Sequence, residues 1–413
     1  MPQPQSENQK KEERDSGISK SLLEQDYLIQ TVTKIITTGV DKRSSDILIE
    51  PLEDELRIRY RIDGILYKWQ ILPKALQDNI INRIKVISGL DISEHRLPQD
   101  GRFKMSYKDT EIDFRVSVMP SSFGEKIVLR VLDKSSVILD IDKLGFDHRA
   151  VELFKRNLVK PFGMVLVCGP TGCGKTTTLY AALKYIDSIE KNIITVEDPV
   201  EYQLFGINQV AVNEDIGLTF ASALRSILRQ DPNVILVGEI RDFETADIAV
   251  KAALTGHLLL STLHTTSASS SVVRLINMGT EPFLIASSCL LIVSQVLIRT
   301  LCSQCKESYH PSKAILGQFD SYHLPISEDT VLYKQNSCSA CNNTGFRGRL
   351  ALAESLEMNS TIRDLISSGA SEKEIREAAV KDGMIALREN GFRLVREGVT
   401  CIEEVLKVTS AIE

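Results

Sequence analysis

The sequence predicts an α/β protein whose larger domain is doubly wound. Three observations carry this. Short, wholly apolar runs ("MVLV", "IITV", "VILV", "LLLST") recur between residues 164 and 262 with helix-length segments between them. That is the rhythm of buried parallel strands joined by crossover helices. The first run leads into "GPTGCGK" at 169–175, a glycine-rich turn at the start of a helical pattern. Upstream, residues 46–132 hold short runs that alternate apolar and polar, as in strands with only one face on a core.

Taken in order, residues 1–17 are polar and rich in Gln, Glu and Lys, and a disordered tail is expected. Residues 18–135 form an N-terminal α/β domain. Ile18, Leu22, Ile29, Val32, Ile36 and Val40 recur at helical spacing. "DILIEP" (46–51) reads as a strand. "LRIRYRI" (56–62) puts Leu56, Ile58, Tyr60 and Ile62 on one face, which leaves Arg57, Arg59 and Arg61 as solvated charges. Asp63-Gly64 is a hairpin turn. A helix at 73–88 and strands near 102–107, 111–118 and 126–132 follow. Residues 136–160 are a linker and a helix. The doubly wound domain spans 161–300, a cysteine module 301–350, and a helical C-terminal region 351–413. The longest apolar run, "PFLIASSCLLIVSQVLIRTL" (282–301), is broken by Ser287, Ser288, Ser294 and Gln295 and closed by Arg299. It is too interrupted for a membrane span and reads as a buried core helix.

A chain of 413 residues with 43% apolar and 25% charged residues suits two or three soluble globular cores. The net charge of −6 supplies no global field for nucleic acid. The first twenty residues contain no apolar signal segment, so a cytosolic protein is expected. In that compartment paired cysteines are metal ligands rather than disulfides.

Gly169-Pro170-Thr171-Gly172-Cys173-Gly174-Lys175-Thr176 fits G-x-x-x-x-G-K-[ST]. Its backbone N–H groups would cradle phosphates, with Thr177 in the same helix start. Lys175 reaches the β/γ-phosphates and Thr176 ligates Mg²⁺. Cys173 either fills space or is a redox-sensitive thiol activated by the helix N-terminus and Lys175. "VILVGEIRD" (234–242) ends in Gly238-Glu239. Gly238 stands where many ATPases carry a metal-binding Asp, which leaves Glu239 to polarise the attacking water. Glu197 and Asp198, in "TVEDPVE" (195–201), are candidates to help with Mg²⁺. "LTGHLLLSTLHT" (254–265) puts His257 and His264 at either end of a short strand. His264 sits where a strand tip can sense the γ-phosphate. His257 reads equally as functional or structural.

Cys302-x₂-Cys305 and Cys338-x₂-Cys341 are separated by 32 residues. Two such knuckles suit a closed, structural Zn²⁺ site; an iron–sulfur cluster or free thiols are the other readings. The segment between them is not notably basic, which argues against nucleic-acid binding. Cys289 and Cys401 read as small buried residues.

Residues 163–301 resemble the ATPases of type II secretion and type IV pilus assembly. The resemblance rests on "GPTGCGKTTTLYAAL", "ITVEDPVEYQLFGINQVAVN", "GLTFASALRSILRQDPNVILVGEIRDFETADIAVKAALTGHLLLSTLHT" and "MGTEPFLIASS". Upstream, "SSDILIEP", "RYRIDGIL" and "GLDISEHRLPQDGRF" resemble the family's second N-terminal domain. The resemblance implies a RecA-like P-loop ATPase using ATP and Mg²⁺, with a zinc module typical of assembly-type members. It implies that Lys175 and Thr176 bind phosphate and Mg²⁺, that Glu197 and Asp198 form an Asp box, and that Glu239 is the catalytic glutamate. His257 and His264 belong to a His box. Arg102, Arg115, Arg225 and Arg229 match arginines that face the nucleotide. It further implies a homo-hexameric ring, peripheral at the inner membrane on its cytoplasmic side, working with platform proteins. Leu48 and Cys173 depart from the usual His and Ser. About 20 residues precede the matching region, so the family's first N-terminal domain is not expected in this chain. The wording of the C-terminal half points to a type II secretion motor driving pseudopilus assembly. The other readings are a type IV pilus assembly motor and a non-hydrolysing adaptor.

Overall fold

The computed structural model describes residues 25–132, 139–322 and 324–410. The expected tail at 1–17 and part of the expected linker lie outside them. Two compact units result, Met1–Ser136 and Val137–Glu413.

The first unit opens with helix α1 (25–41). Strands β1 (Ser44–Pro51), β2 (Glu55–Ile62) and β3 (Ile65–Pro73) follow, then α2 (Gln77–Ile87), β4 (Gln99–Tyr107), β5 (Thr110–Ser121) and β6 (Gly124–Leu132). They form an antiparallel sheet of order β3-β2-β1-β6-β5-β4. Val32, Ile36, Ile80 and Ile84 of the two helices pack on one face, against Ile47, Ile58, Phe114 and Leu129. Leu56, Ile58, Tyr60 and Ile62 are all buried on that face, as their alternation requires. Asp63 and Gly64 turn the chain with φ of 47° and 86°. The arginines between them are not simply solvated. Glu50, itself buried, accepts from Arg59 Nε and Nη2 at 2.7 Å each and from Arg57 Nε at 3.1 Å, with Lys126 Nζ at 3.3 Å. Arg61 pairs with Asp46 at 3.2 Å. A buried carboxylate needs such partners, and the strand register supplies them.

The second unit runs through α3 (His148–Leu158), β7 (Gly163–Cys168), α4 (Lys175–Ile186), β8 (Ile193–Glu197), β9 (Asn208–Ala211), α5 (Phe220–Ile227), β10 (Val234–Val237), α6 (Phe243–Leu254), β11 (Leu258–Leu263), α7 (Ala268–Asn277) and α8 (Pro282–Ser288). It continues with β12 (Cys289–Leu301), β13 (Glu307–Tyr309), α9 (Lys313–Asp320), β14 (Leu332–Lys334) and β15 (Phe346–Glu357). Helices α10 (Ser360–Ser367), α11 (Glu372–Lys381), α12 (Leu387–Arg396) and α13 (Ile402–Thr409) close it. The main sheet has the order β15-β12-β7-β11-β10-β8-β9. All its pairings are parallel except β12 with β15. One face packs against α5–α8, α10 and α11, the other against α3 and α4.

The run 282–301 is therefore not one helix. Pro282 starts a two-turn helix, and Cys289–Leu301 form a 13-residue strand between β7 and β15. With both faces covered, the strand shows no alternation, and periodicity cannot separate it from a buried helix. Strand β15 straddles the boundary drawn at 350. The cysteine module is thus an insertion between two paired strands of the main sheet.

Candidate functional site

In a parallel sheet the strands' C-terminal ends share one edge, and ligands bind there. Strand β7 ends at Cys168 and gives way to Gly169–Gly174. A Cβ on Gly169 (φ 146°) would collide with the Gln295 carbonyl and crowd Cys173 Sγ, so the loop needs glycine there. Gly174, at φ 90°, starts α4. Pro170, Thr171, Gly172 and Thr176 are exposed, while Lys175 is 9% exposed. Its ammonium donates to the carbonyls of Gly169 (2.8 Å) and Pro170 (3.1 Å), folded back over the loop. Thr177 lies beside Thr176 in the first turn, where free backbone N–H groups and the helix dipole favour an anion. Cys173 is buried, and burial pushes its thiol up against the opposing pull of Lys175. Burial of the thiol under the loop fits the space-filling reading of Cys173.

Strand β10 delivers Glu239. Arg241 Nη2 donates to its Oε1 at 2.6 Å, and His264 Nε2 lies 3.1 Å from its Oε2. Burial raises the carboxyl's pKa, but Arg241 and His264 outweigh it and hold Glu239 below the usual range. It stands ionised at neutral pH, the form that can polarise water. His264 follows β11, so the edge brings the two residues together from neighbouring strands. At Gly238 a Cβ would come within 3.3 Å of Glu197 Cα and the Val196 carbonyl, which accounts for a small residue there.

Glu197 differs from the expectation of an open acid. It is 4% exposed and accepts from Tyr180 of α4, from Thr195 Oγ1 at 2.6 Å and from Gln209 Nε2 at 3.1 Å. These neutral donors make it an anchor between α4 and β9. Asp198 beside it is exposed and within the field of Arg241. His257 is separated from the others. It precedes β11, at the opposite sheet edge, about 20 Å from His264 at strand rise. Its Nδ1 lies 3.1 Å from the Ala252 carbonyl, a satisfied helix-end contact. Arg225 pairs with Glu244 at 2.5 Å, and Arg229 donates to the Arg225 carbonyl and Ser226 Oγ. Neither joins Glu239 within this chain.

In the first unit, Arg102 and Arg115 are direct cross-strand partners, and Arg115 is in turn opposite Arg130. Like charges directly opposite repel. Arg130 reaches Asp46 at 3.5 Å.

The four cysteines converge. Cys302–Cys338 and Cys305–Cys341 sulfurs are 3.8 Å apart, Cys338–Cys341 3.7 Å, and all lie within 4.8 Å of one another. Tetrahedral Zn–S bonds of about 2.3 Å require S–S edges of about 3.8 Å, so the cluster fits such an ion. Burial opposes ionisation of Cys341. The Cys338 and Gly345 backbone groups and neighbouring thiols outweigh it, bringing the thiol to about 6.

Sequence reasoning passed over Arg241 and Gln295. Arg241 had a signal, a cation two residues after Glu239. Gln295 had one too, a polar side chain inside an apolar run. It is 0% exposed.

A phosphate loop, an ionised glutamate and a histidine gathered on one edge of this sheet define a P-loop ATPase. The family model described as Type II/IV secretion system protein matches residues 21–407, and the chain belongs to that family. It is 49% identical over 387 residues to the Type IV pilus assembly ATPase PilB of Myxococcus xanthus, covering 93% of this chain and 68% of that protein. It is 45% identical to the Type II secretion system ATPase E of Vibrio cholerae, covering 92% and 75%. Among solved structures, the pilus retraction motor PilT with bound ADP superposes with a TM-score of 0.60 at 25% identity, covering 91% and 96% of the two chains. The Yersinia pseudotuberculosis ATPase DotB reaches 0.68 at 22% identity, covering 92% and 93%; it supports the fold alone.

Proposed function

We propose that this ATPase is the motor that assembles a pilus or pseudopilus at the inner membrane. The observation that carries the reading is Glu239, held ionised between Arg241 and His264 on the same sheet edge as the phosphate loop. A non-hydrolysing adaptor has no need of that arrangement. Lys175, Thr176 and the loop amides hold ATP and Mg²⁺, with Asp198 assisting. Glu239 polarises the water, and His264 reports the γ-phosphate. Arg102 and Arg115 supply positive charge to the phosphates as charge develops. The four cysteines hold Zn²⁺ as a structural ion. The working form is a homo-hexamer on the cytoplasmic side, associated with platform proteins and not with nucleic acid. Among the described residues no helix is long and apolar enough to cross a membrane. The chain is similar to relatives of both kinds, 49% identical to the pilus assembly protein and 45% to the Vibrio secretion protein, and the deletion phenotype separates the two.

The test is deletion of the gene, scoring surface pili and exoprotein secretion together, with rescue by wild type and by Glu239→Gln. The expected result is loss of secretion or of pili, restored by wild type alone. Loss of secretion alone assigns the motor to type II secretion, and loss of pili alone assigns it to pilus assembly. Rescue by Glu239→Gln sinks the motor reading.

A further inference from the structure

Strand β12 carries two adjacent polar residues in the interior of the main sheet. Ser294 and Gln295 are both 0% exposed. Consecutive strand residues point to opposite faces, so each serves a different side.

Gln295 faces α4. Its Nε2 donates to the Cys173 carbonyl at 2.8 Å, and its Oε1 accepts from the Thr178 hydroxyl at 2.8 Å. Cys173 lies inside the phosphate loop and Thr178 in the first turn of the helix that the loop opens. One amide therefore pins the loop to its helix from beneath, while its own backbone carbonyl sets the closest approach of Gly169.

Ser294 faces α7. Its hydroxyl donates to the Thr266 carbonyl at 3.1 Å. Thr266 lies two residues after His264 and one before Ser267, whose hydroxyl caps α7 by accepting from Ser270 N at 3.0 Å. Glu354 of β15 is the register partner of Ser294 and accepts from Ala268 N at 2.9 Å. The segment that carries His264 is thus held from below by two neighbouring strands.

We propose that Ser294 and Gln295 are a two-sided positioning dyad for the ATPase. Gln295 keeps the phosphate loop in its binding shape. Ser294, with Glu354, keeps His264 aimed at Glu239. The proposal rests on the roles given above to the phosphate loop and His264. Each member acts through another group, so the two should leave different kinetic signatures. A merely structural pair would move all readouts together.

The experiment uses the full chain with Mg²⁺. It measures ATP affinity with a fluorescent ATP analogue, turnover by phosphate release, and melting temperature. Gln295→Met keeps the volume but leaves the Cys173 carbonyl and Thr178 hydroxyl unpaired, so affinity should weaken about 10-fold, with a smaller change in kcat. Thr178→Val removes one of the two bonds without emptying space and guards against a misfolded Gln295→Met; about 3-fold weaker binding is expected. Ser294→Ala should lower kcat about 5-fold and move affinity less. If affinity and kcat fall together in both dyad variants, in step with melting temperature, the pair is structural and the proposal is overturned. Lys175→Ala separates the two possible failures. If it loses ATP while Gln295→Met and Thr178→Val bind normally, the dyad alone is overturned. If Lys175→Ala also binds normally, the phosphate-loop reading falls and takes the dyad with it.

Discussion

The two units are built on sheets of opposite kind. The first is antiparallel, with α1 and α2 on one face. The second is mainly parallel and covered on both faces. The face away from α1 and α2 carries Arg102, Arg115 and Arg130, from three strands aligned by register. A doubly covered sheet has no such face, so its chemistry collects where strands end: Lys175, Glu239 and His264. The comparison teaches that register aligns side chains across strands in one unit, and strand termination gathers them in the other.

The largest effect should come from the edge. Lys175→Ala or Glu239→Gln should cut turnover at least about 100-fold, with melting temperature little changed. Substantial turnover in Glu239→Gln would deny the edge its role. Next comes the face. Arg102→Ala and Arg115→Ala should each lower kcat about 10- to 100-fold while ATP affinity is largely kept. If neither slows turnover, the row is only a charged surface and the contrast loses half its meaning.

The cysteine insertion belongs to neither principle. Metal analysis should find about one zinc per chain, all four ligands being thiolates. Chelation or Cys302→Ser should speed hydrogen exchange across 300–350 more than across the nucleotide domain. Native protein without metal would falsify the zinc assignment.

Two smaller effects follow from charge. Glu239 is held below the usual carboxylate range. Its ionised form therefore persists until pH falls through that lowered value, and the acid limb of kcat lies there. Arg241→Met removes the main opposing cation and should move the limb to higher pH; an unmoved limb would assign it to another group. In the first unit, burial raises the Glu50 carboxyl, but Arg59, Lys126 and Arg57 hold it below its ordinary value. Its stabilisation is present above the unfolded carboxyl's pKa and is lost as pH falls through the folded one. Glu50→Gln should cost about 1–2 kcal/mol near neutral pH and flatten that acid-side loss, measured by denaturant unfolding.

The same contrast governs what the sequence made legible. Alternation over 56–62 gave β2 almost to its ends, Glu55–Ile62. The arginine row could not be read that way, because register across strands is not written within any one of them; resemblance supplied Arg102 and Arg115. In the second unit the motifs at strand ends were plain. Strand β12 was not, since a run buried on both faces has no period to betray it. Ser294 and Gln295 consequently looked like flaws in a helix. Only in a strand do neighbours reach opposite sides. His257 and Glu197 were placed by motif, and geometry moved both: one lies at the far edge, the other is enclosed by Tyr180, Thr195 and Gln209.

The insertion of the cysteines between β12 and β15 has a consequence for biosynthesis. A chain leaves the ribosome N-terminus first and folds as it emerges. Residues 302–341 are made before Phe346–Glu357, the strand that flanks β12 and supplies Glu354 beneath the His264 segment. All four cysteines are therefore translated while the main sheet still lacks the strand at its β15 edge. The strand that completes this edge of the sheet can reach its place only after the cysteine segment has been made, so the order of synthesis puts the four thiols ahead of the finished sheet.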